Sequence, residues 1–169
     1  MHASVNTQKC GLYTLAERVG ALLETRHYTL ATAESCTGGW IAQAVTAIPG
    51  SSHWFERGFV TYSNRAKEEM LGVRHATLEQ FGAVSEQTVT EMAAAVLTLS
   101  DADVSVAVSG IAGPSGGSNT RPVGLIWLAW AMKGEPPFAT CHRFSGDRQQ
   151  IRYQAVVAAL GGVVNVVDS

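Results

Sequence analysis

Apolar residues recur at two different spacings along the chain, and the spacing predicts which segments are helices and which are strands. Between residues 13 and 27 the apolar positions recur every three or four residues, as on the buried face of a helix. Thr14 followed by Glu17 fits a capping box, which places the start of that helix. Residues 123–132 are almost entirely apolar, which is typical of a strand covered on both faces of a sheet.

The remaining segments complete an alternating order of elements. Strands are predicted in residues 28–33, 55–63, 103–111, 123–132 and 138–146, the last two pairing antiparallel. Further helices are predicted in residues 39–48, 64–72, 77–81, 86–99 and 147–162. The order α-β-α-β-α-α-α-β-β-β-α predicts a single compact α/β domain, with a mixed β-sheet and helices packed on its faces. We assign residues 11–169 to this domain and residues 1–10 to an N-terminal arm.

Length and composition fit one globular domain. The chain has 169 residues, of which 46% are hydrophobic and 15% are charged, and its net charge is −2. It has no block of Lys or Arg, which argues against a nucleic-acid or anionic-membrane partner. The polar N-terminus does not resemble a signal peptide, and no apolar run is long enough to span a bilayer. We therefore expect a cytoplasmic protein.

The cysteines and histidines give no sign of a disulfide framework or a metal site. The three cysteines, Cys10, Cys36 and Cys141, are odd in number and widely spaced. The five histidines form no HxxH or HxxxH pair. We expect neither a metal nor a cofactor.

The first candidate for chemistry is the sequence Ser-Cys-Thr-Gly-Gly, where a predicted strand turns into a helix. Ser35 or Thr37 could be an ordinary N-cap, since Ser and Thr are common caps. Neither is followed three residues later by Glu or Gln, which weakens that interpretation. The alternative is a nucleophile, because Gly38 and Gly39 would leave N–H groups of the first helical turn open to an oxyanion. The pattern alone leaves both alternatives open.

A serine nucleophile needs a base, and Lys67 is the better candidate. None of the five histidines sits beside a carboxylate in a recognisable arrangement. Tyr62 ends a predicted strand, and Lys67 lies one to two turns into the following helix. A buried tyrosine and the nearby Arg65 would lower the pKa of this lysine. The alternative is a solvated lysine on an amphipathic helix.

Two further features suit an anionic ligand. A glycine-rich loop, residues 109–124, follows a strand, and its backbone N–H groups could approach a phosphate. Arg148 and Arg152 lie four residues apart at the start of the last helix, where a bound anion would relieve the conflict between a cation and the helix dipole. A flexible loop and exposed arginines are the alternatives.

Together these segments match one family. Six segments occur in the order seen in the C-terminal domain of the competence/damage-inducible protein CinA: AESCTGG, GFVTYSNRAKEEMLGV, GAVS, SGIAGPSGG, RPVG and FSGDRQQIR. The chain resembles this family, including its stand-alone nicotinamide mononucleotide deamidases, over residues 12–160. It departs from the family where Ser115 replaces a frequent Asp and Arg121 a frequent Lys.

The resemblance implies an amidohydrolase that converts nicotinamide mononucleotide (NMN) to nicotinic acid mononucleotide and ammonia. It implies Ser35 as the nucleophile, Lys67 as its base and Tyr62 as the third catalytic residue. Substrate-binding residues are expected in both loops and in the last helix: Cys36, Thr37, Gly38, Gly39, Ser109, Gly110, Gly113, Arg148 and Arg152. We expect a homo-oligomer, with a dimer as one form. Two alternatives stay open, a pyridine-nucleotide-binding module without turnover and an amidohydrolase whose nucleophile is Cys36.

Overall fold

The computed structural model describes the backbone of residues 2–169 and the side chains of residues 11–169. Its sheet contains β1 (Leu30–Glu34), β2 (Phe55–Val60), β3 (Val104–Gly110), β4 (Leu125–Met132) and β5 (Phe138–Arg143). The helices are α1 (His2–Arg26), α2 (Trp40–Thr46), α3 (Asn64–Leu71), α4 (His75–Phe81), α5 (Glu86–Thr98) and α6 (Arg148–Asp168). A short 3₁₀ turn, Ser51–His53, precedes β2.

The sheet has the strand order β2-β1-β3-β4-β5. Strand β1 pairs parallel with both β2 and β3, whereas β4 pairs antiparallel with β3 and β5. The carboxyl ends of β1, β2 and β3 therefore meet at one edge, which in open α/β sheets is where ligands bind. Glu34, Val60 and Gly110 are the last residues of these three strands.

Side-chain size differs between the two faces of the sheet. On β3, Val104, Val106 and Val108 pack into the core under α1, α2 and α6. On the other face Ala107 and Ala129 pack into a second core with residues of α3, α4 and α5. Because successive strand residues alternate between faces, the small alanines let α5 lie close to the sheet.

The α/β class, the order of elements and the antiparallel pairing of β4 with β5 are confirmed. The strand predicted up to residue 63 ends earlier, at Val60, and the loop after it contains Tyr62. Ser63 then caps α3 by accepting the N–H of Ala66 at 3.0 Å.

The predicted start of the first helix is wrong. Helix α1 begins at His2, so the pair Thr14 and Glu17 lies inside it and is not a capping box at its start. In the backbone, residues 2–10 continue α1. The side chains of residues 1–10 lie outside the described part of the chain, so the domain boundary at residue 11 stays a prediction.

The last helix is longer than predicted. The sequence predicts that this helix ends at residue 162, at the pair Gly161 and Gly162, but α6 continues to Asp168. A Cβ atom on Gly162 would overlap the indole ring of Trp130. The same indole donates from Nε1 to the carbonyl of Ala159 at 2.9 Å. Gly162 therefore makes room for Trp130 between helix and sheet and is not a helix terminator.

The two adjacent glycines provide a matched pair for a stability test. We expect Gly162→Ala to lower the free energy of unfolding by about 1–3 kcal/mol, because the core at Trp130 would be overpacked. A Cβ atom on Gly161 meets nothing within 4 Å, so Gly161→Ala should raise it by about 0.5–1 kcal/mol through helix propensity. Urea denaturation of the two variants measures both changes, and equal changes would contradict the packing role of Gly162.

By length and composition alone, α6 would also pass for a membrane-spanning helix. In this structure the α6 residues Ile151, Ala155 and Leu160 are buried against the sheet and α1. The helix is therefore a core element of the domain.

Candidate active site

Ser35 lies directly after β1, and its hydroxyl meets the amine of Lys67. Ser35 Oγ and Lys67 Nζ are 3.0 Å apart, and Lys67 Nζ also donates to the carbonyl oxygen of Thr61 at 2.8 Å. Lys67 is 1% exposed and Ser35 is 8% exposed. When neutral, the amine can donate to Thr61 and still present a lone pair to the serine hydroxyl. The pair has the geometry of a nucleophile and its base.

Burial changes the acid–base behaviour of Lys67. Desolvation lowers the pKa of Lys67 to about 8, and the charge of a Cys36 thiolate would act in the opposite direction. A sizeable fraction of the amine is therefore neutral at mildly alkaline pH, as a general base requires.

The prediction that Arg65 and a buried Tyr62 lower this pKa is wrong. Arg65 is exposed and pairs with Glu69 at 2.6 Å. Tyr62 is 60% exposed, and its hydroxyl accepts a hydrogen bond from Nη2 of Arg148 at 2.9 Å. Within residues 11–169 the structure gives this hydroxyl no hydrogen bond to Ser35 or Lys67, so a catalytic role for Tyr62 stays a prediction.

The start of α2 is capped by a side chain that the sequence analysis did not select. Glu34, the last residue of β1, is fully buried. Its Oε2 accepts the Thr37 hydroxyl at 2.6 Å and the N–H groups of Gly39 and Ile41 at 3.1 and 3.0 Å. Its Oε1 accepts the N–H of Ala42 at 2.8 Å. The prediction that the paired glycines leave these N–H groups open is therefore wrong.

The two glycines shape the turn instead. Gly38 and Gly39 have φ angles of +61° and +92°, a region that favours glycine because it has no Cβ atom. Gly39 itself occupies the N-cap position of α2, without a side-chain bond. Neither Ser35 nor Thr37 is the N-cap, so the simple capping interpretation of the motif is also wrong.

In this turn the N–H groups of Ser35 and Gly38 are bonded, whereas those of Cys36 and Thr37 donate to no backbone carbonyl among the described residues. The N–H of Ser35 donates to the carbonyl of Val108 at 3.0 Å, and that of Gly38 donates to the carbonyl of Ser35 at 3.0 Å. The N–H groups of Cys36 and Thr37 follow Ser35 directly, which is where serine hydrolases place an oxyanion donor.

The Cys36 side chain is unsuited to attack. It is 6% exposed, and burial raises the pKa of its thiol to about 12, against the opposing effects of its own backbone N–H and of the nearby cations Arg152 and Lys67. A cysteine attacks as its thiolate, which is scarce at neutral pH in this environment. The thiol packs in the apolar core under α1 and α6.

Arg148 and Arg152 hold the loops of the site together from the first turns of α6. Arg152 donates from Nε to the carbonyl of Cys36 at 3.0 Å and from Nη2 to that of Thr37 at 2.7 Å. Arg148 donates from Nη1 to the carbonyl of Gly113 at 2.8 Å. Both arginines are thus structural ties, and a contact with substrate phosphate stays a prediction.

The glycine-rich loop is explained by packing at two positions. Ser109 and Gly110 end β3, and a Cβ atom on Gly110 would overlap the side chain of Ile126. Gly113 has a φ of +76°, and a Cβ atom there would overlap Val123. Substrate binding by these residues therefore stays a prediction.

The two departures from the family pattern lie in this loop. Arg121 donates from Nη2 to the carbonyl of Phe81, which ties the loop to the end of α4. Ser115 is exposed. Arg121 therefore has a structural contact of its own within the described residues.

A cavity of about 500 Å³ opens beside the turn that follows Ser35. This volume is within the range of small-molecule sites. The guanidinium of Arg152 lies 5.4 Å from the ring centroid of Trp40, which packs against Tyr153. Neither Ser35 nor Lys67 lines this cavity; its lining residues are Thr37, Gly38, Gly39, Trp40, Gln43, Arg148, Gln149 and Arg152.

Glu34, Trp40 and Gln149 belong to this site and were missed in the sequence. Glu34 had a signal: it ends an apolar strand and stands just before a helix that has no capping side chain of its own. A carboxylate in that position can reach forward to helical N–H groups. Trp40 lies in no quoted motif, and Gln149 lies within FSGDRQQIR without being singled out there. Only the meeting of α2 with α6 reveals both.

Comparisons with known proteins agree with this architecture. The chain is similar to the nicotinamide-nucleotide amidohydrolase PncC of Enterobacter agglomerans, at 55% identity over 149 residues, which cover 88% of this chain and 91% of that protein. It is 54% identical to PncC of Escherichia coli strain K12, over 88% of this chain and 90% of that protein. The crystal structure of the competence/damage inducible protein CihA from Agrobacterium tumefaciens superposes with a TM-score of 0.91 at 44% identity, covering 94% of this chain and 96% of that one.

The family description named CinA C-terminal domain matches residues 12–167. That match takes in the whole sheet, the Ser35 turn, Lys67 and nearly all of α6. Family match, sequence identity and superposition point the same way, and this chain belongs to the CinA C-terminal domain family.

Proposed function

We propose that the protein is a nicotinamide-nucleotide amidohydrolase, which hydrolyses the carboxamide of NMN and releases ammonia. The observation that carries this proposal is the 3.0 Å contact between Ser35 Oγ and the buried Lys67 Nζ. The similarity over 88% of the chain to proteins named for this activity supports the choice of substrate.

The first half of the reaction forms an acyl-enzyme. Neutral Lys67 takes the hydroxyl proton of Ser35 as Oγ bonds to the amide carbon. The electron pair of the C=O bond moves to oxygen, where the N–H groups of Cys36 and Thr37 stabilise the charge. The C–N bond then breaks, and the Lys67 ammonium passes its proton to the departing nitrogen, which leaves as ammonia.

The second half returns the enzyme to its starting state. Lys67, neutral again, takes a proton from water, and the hydroxide attacks the ester carbon. The bond from carbon to Ser35 Oγ breaks, Lys67 returns the proton to Oγ, and nicotinic acid mononucleotide leaves. Each turnover thus consumes one NMN and one water and yields one ammonia.

The activity is tested by incubating the purified protein with NMN. We expect ammonia and nicotinic acid mononucleotide to appear in equal amounts, in enzyme-coupled and chromatographic assays. Binding of NMN without any ammonia would overturn the proposal and favour the non-catalytic binding module. Loss of activity in Cys36→Ala but not in Ser35→Ala would favour the cysteine amidohydrolase.

The phosphate of NMN is the part of the substrate assigned to the arginines of α6. We expect Arg148→Gln to raise the KM for NMN by about 10-fold or more, because a charge-assisted hydrogen bond is lost. The KM for nicotinamide riboside, which lacks the phosphate, should change much less. Arg148→Gln also removes the hydrogen bond to Tyr62, but this loss affects both substrates alike, so the comparison between them cancels it. Arg26→Gln, at the C-terminal end of α1, is the control for the loss of one positive charge. Equal effects on both substrates would exclude a phosphate role.

Two expectations complete the proposal. A homo-oligomer, with a dimer as one form, is testable by analytical ultracentrifugation. A cytoplasmic location is testable by fractionation of the source cells.

A further inference from the structure

Glu34 connects the two residues of the candidate catalytic pair, Ser35 and Lys67. It precedes Ser35 in the chain, and its backbone carbonyl accepts the N–H of Thr61 at 2.8 Å. The carbonyl of Thr61 in turn accepts from Lys67 Nζ at 2.8 Å. One residue therefore joins the strand end that carries the serine to the loop that holds the lysine.

The carboxylate of Glu34 adds a second set of bonds on the other side of Ser35. It accepts three backbone N–H groups at the start of α2 and the Thr37 hydroxyl, at 2.6–3.1 Å. Within residues 11–169 it forms no ion pair with Lys or Arg, so backbone dipoles and one hydroxyl are what stabilise this buried charge. Such charge-assisted bonds are the stronger class of hydrogen bond.

Because Glu34 accepts several N–H groups of the turn, it determines which N–H groups remain for an oxyanion. Since the N–H groups of Gly39, Ile41 and Ala42 are bound to Glu34, an oxyanion cannot use them. The N–H groups of Cys36 and Thr37 are left. The bond from the Thr37 hydroxyl to Glu34 fixes the residue that carries one of these two donors.

We propose that the Glu34 carboxylate is a positioning group for the acyl-transfer step, fixing the Ser35 turn against Lys67 and reserving the Cys36 and Thr37 N–H groups for the oxyanion. This inference rests on the proposed amidohydrolase function. It assigns Glu34 no contact with substrate, so its effect falls on kcat and not on KM.

Glu34→Gln is the isosteric test. The amide keeps the size of the side chain but removes the charge and turns an N–H donor toward backbone donors. We expect kcat for NMN to fall on the order of 100-fold, the scale for displaced catalytic geometry, while KM changes less than about threefold. A kcat within about tenfold of the wild-type value in the folded variant would overturn the inference.

Asp103→Asn is the matched control, because it makes the same change at the opposite end of β1. Asp103 accepts the N–H and the hydroxyl of Thr29 at 2.9 and 3.0 Å, away from the site. It should lower the thermal unfolding midpoint while leaving kcat near the wild-type value. A parallel fall of kcat and midpoint in both variants would mean that Glu34 acts through stability alone and would overturn the inference.

Thr37→Val covers the case in which Glu34→Gln fails to fold. It removes one donor to Glu34 and keeps the side-chain shape, and we expect kcat to fall about 10-fold. Thr88→Val, a buried threonine of α5 bonded to the Gly82 carbonyl, is its control. Wild-type kcat in Thr37→Val would overturn the inference, whereas a wild-type protein that releases no ammonia would overturn the proposed function itself.

Discussion

Ser35→Ala is expected to lower ammonia release from NMN by at least about 10⁴-fold, the scale on which loss of a serine nucleophile acts. The Ser35 hydroxyl lies 3.0 Å from Lys67 Nζ, the candidate base, whereas the Thr37 hydroxyl of the same turn donates to the buried carboxylate of Glu34. Alanine leaves the backbone N–H donors in place, so substrate binding should persist. Steady-state kinetics with NMN, together with direct binding measured by calorimetry, separate the two effects.

Cys36→Ala is the neighbouring control for this variant. Its thiol is buried, and burial raises the pKa of Cys36 to about 12, so a thiolate is scarce at neutral pH. We expect this variant to keep kcat within about tenfold of wild type, since the backbone N–H of residue 36 is unchanged. The reverse pattern, an active Ser35→Ala and an inactive Cys36→Ala, would move the chemistry to the cysteine.

Lys67→Arg is expected to inactivate the protein although it keeps the positive charge. A guanidinium does not lose its proton at working pH and cannot accept the proton of Ser35. For the wild type, kcat/KM should rise with pH through a group near 8, because desolvation lowers the pKa of Lys67 to about that value. A pH profile that is flat between 6 and 9, or an active Lys67→Arg, would contradict the role of Lys67 as the base.

Lys67→Met should remove activity and yet stabilise the fold. In the unfolded chain the lysine has its ordinary pKa of 10.5, whereas in the folded protein its pKa is about 8. Below pH 8 it is protonated in both states, so the folded state carries the full penalty of a buried charge. We expect Met to raise the free energy of unfolding at pH 7 by about 1–2 kcal/mol, after the lost hydrogen bonds are offset.

The free energy of unfolding of the wild type should depend on pH in a direction that follows from the lowered pKa of Lys67. Between pH 8 and 10.5 the folded state of the wild type loses the Lys67 proton before the unfolded state does, so wild-type stability rises. The advantage of the Met variant should therefore shrink across this interval. Urea denaturation at pH 7 and pH 10 measures it, and a Met variant less stable than wild type at pH 7 would contradict the assigned penalty.

The sequence predicts the elements of this fold better than the contacts that shape its site. The apolar run of β4 and the short turn before β5 predict a central strand and an antiparallel pair, and both are confirmed because they depend on local spacing. The Ser35 motif alone leaves a cap and a nucleophile open, and only the family resemblance implies the nucleophile. The burial of Lys67 depends on α3 packing against α5 and on the loops that follow β1 and β2, which no local pattern reports. For the same reason Arg65 was assigned an effect on Lys67 that its exposed pairing with Glu69 rules out.

The roles of Glu34 and Gly162 also depend on contacts that the local sequence does not reveal. The position of Glu34 at a strand end before an uncapped helix is a local signal, but its four acceptor contacts appear only once α2 folds back over the strand end. Gly162 does have a local interpretation, as a helix terminator, but its contact with Trp130 on β4 overrides it. In both cases contacts distant in sequence decide the role of the residue.

Acid quenching during turnover with NMN, followed by peptide mass spectrometry, tests the central claim most directly. At low pH an ester between Ser35 and the nicotinate mononucleotide acyl group is preserved. The mechanism predicts that this acyl group is found on Ser35 during turnover and disappears when NMN is exhausted. Ammonia release with the acyl group on Cys36, or with Ser35 unmodified at every time point, would contradict it.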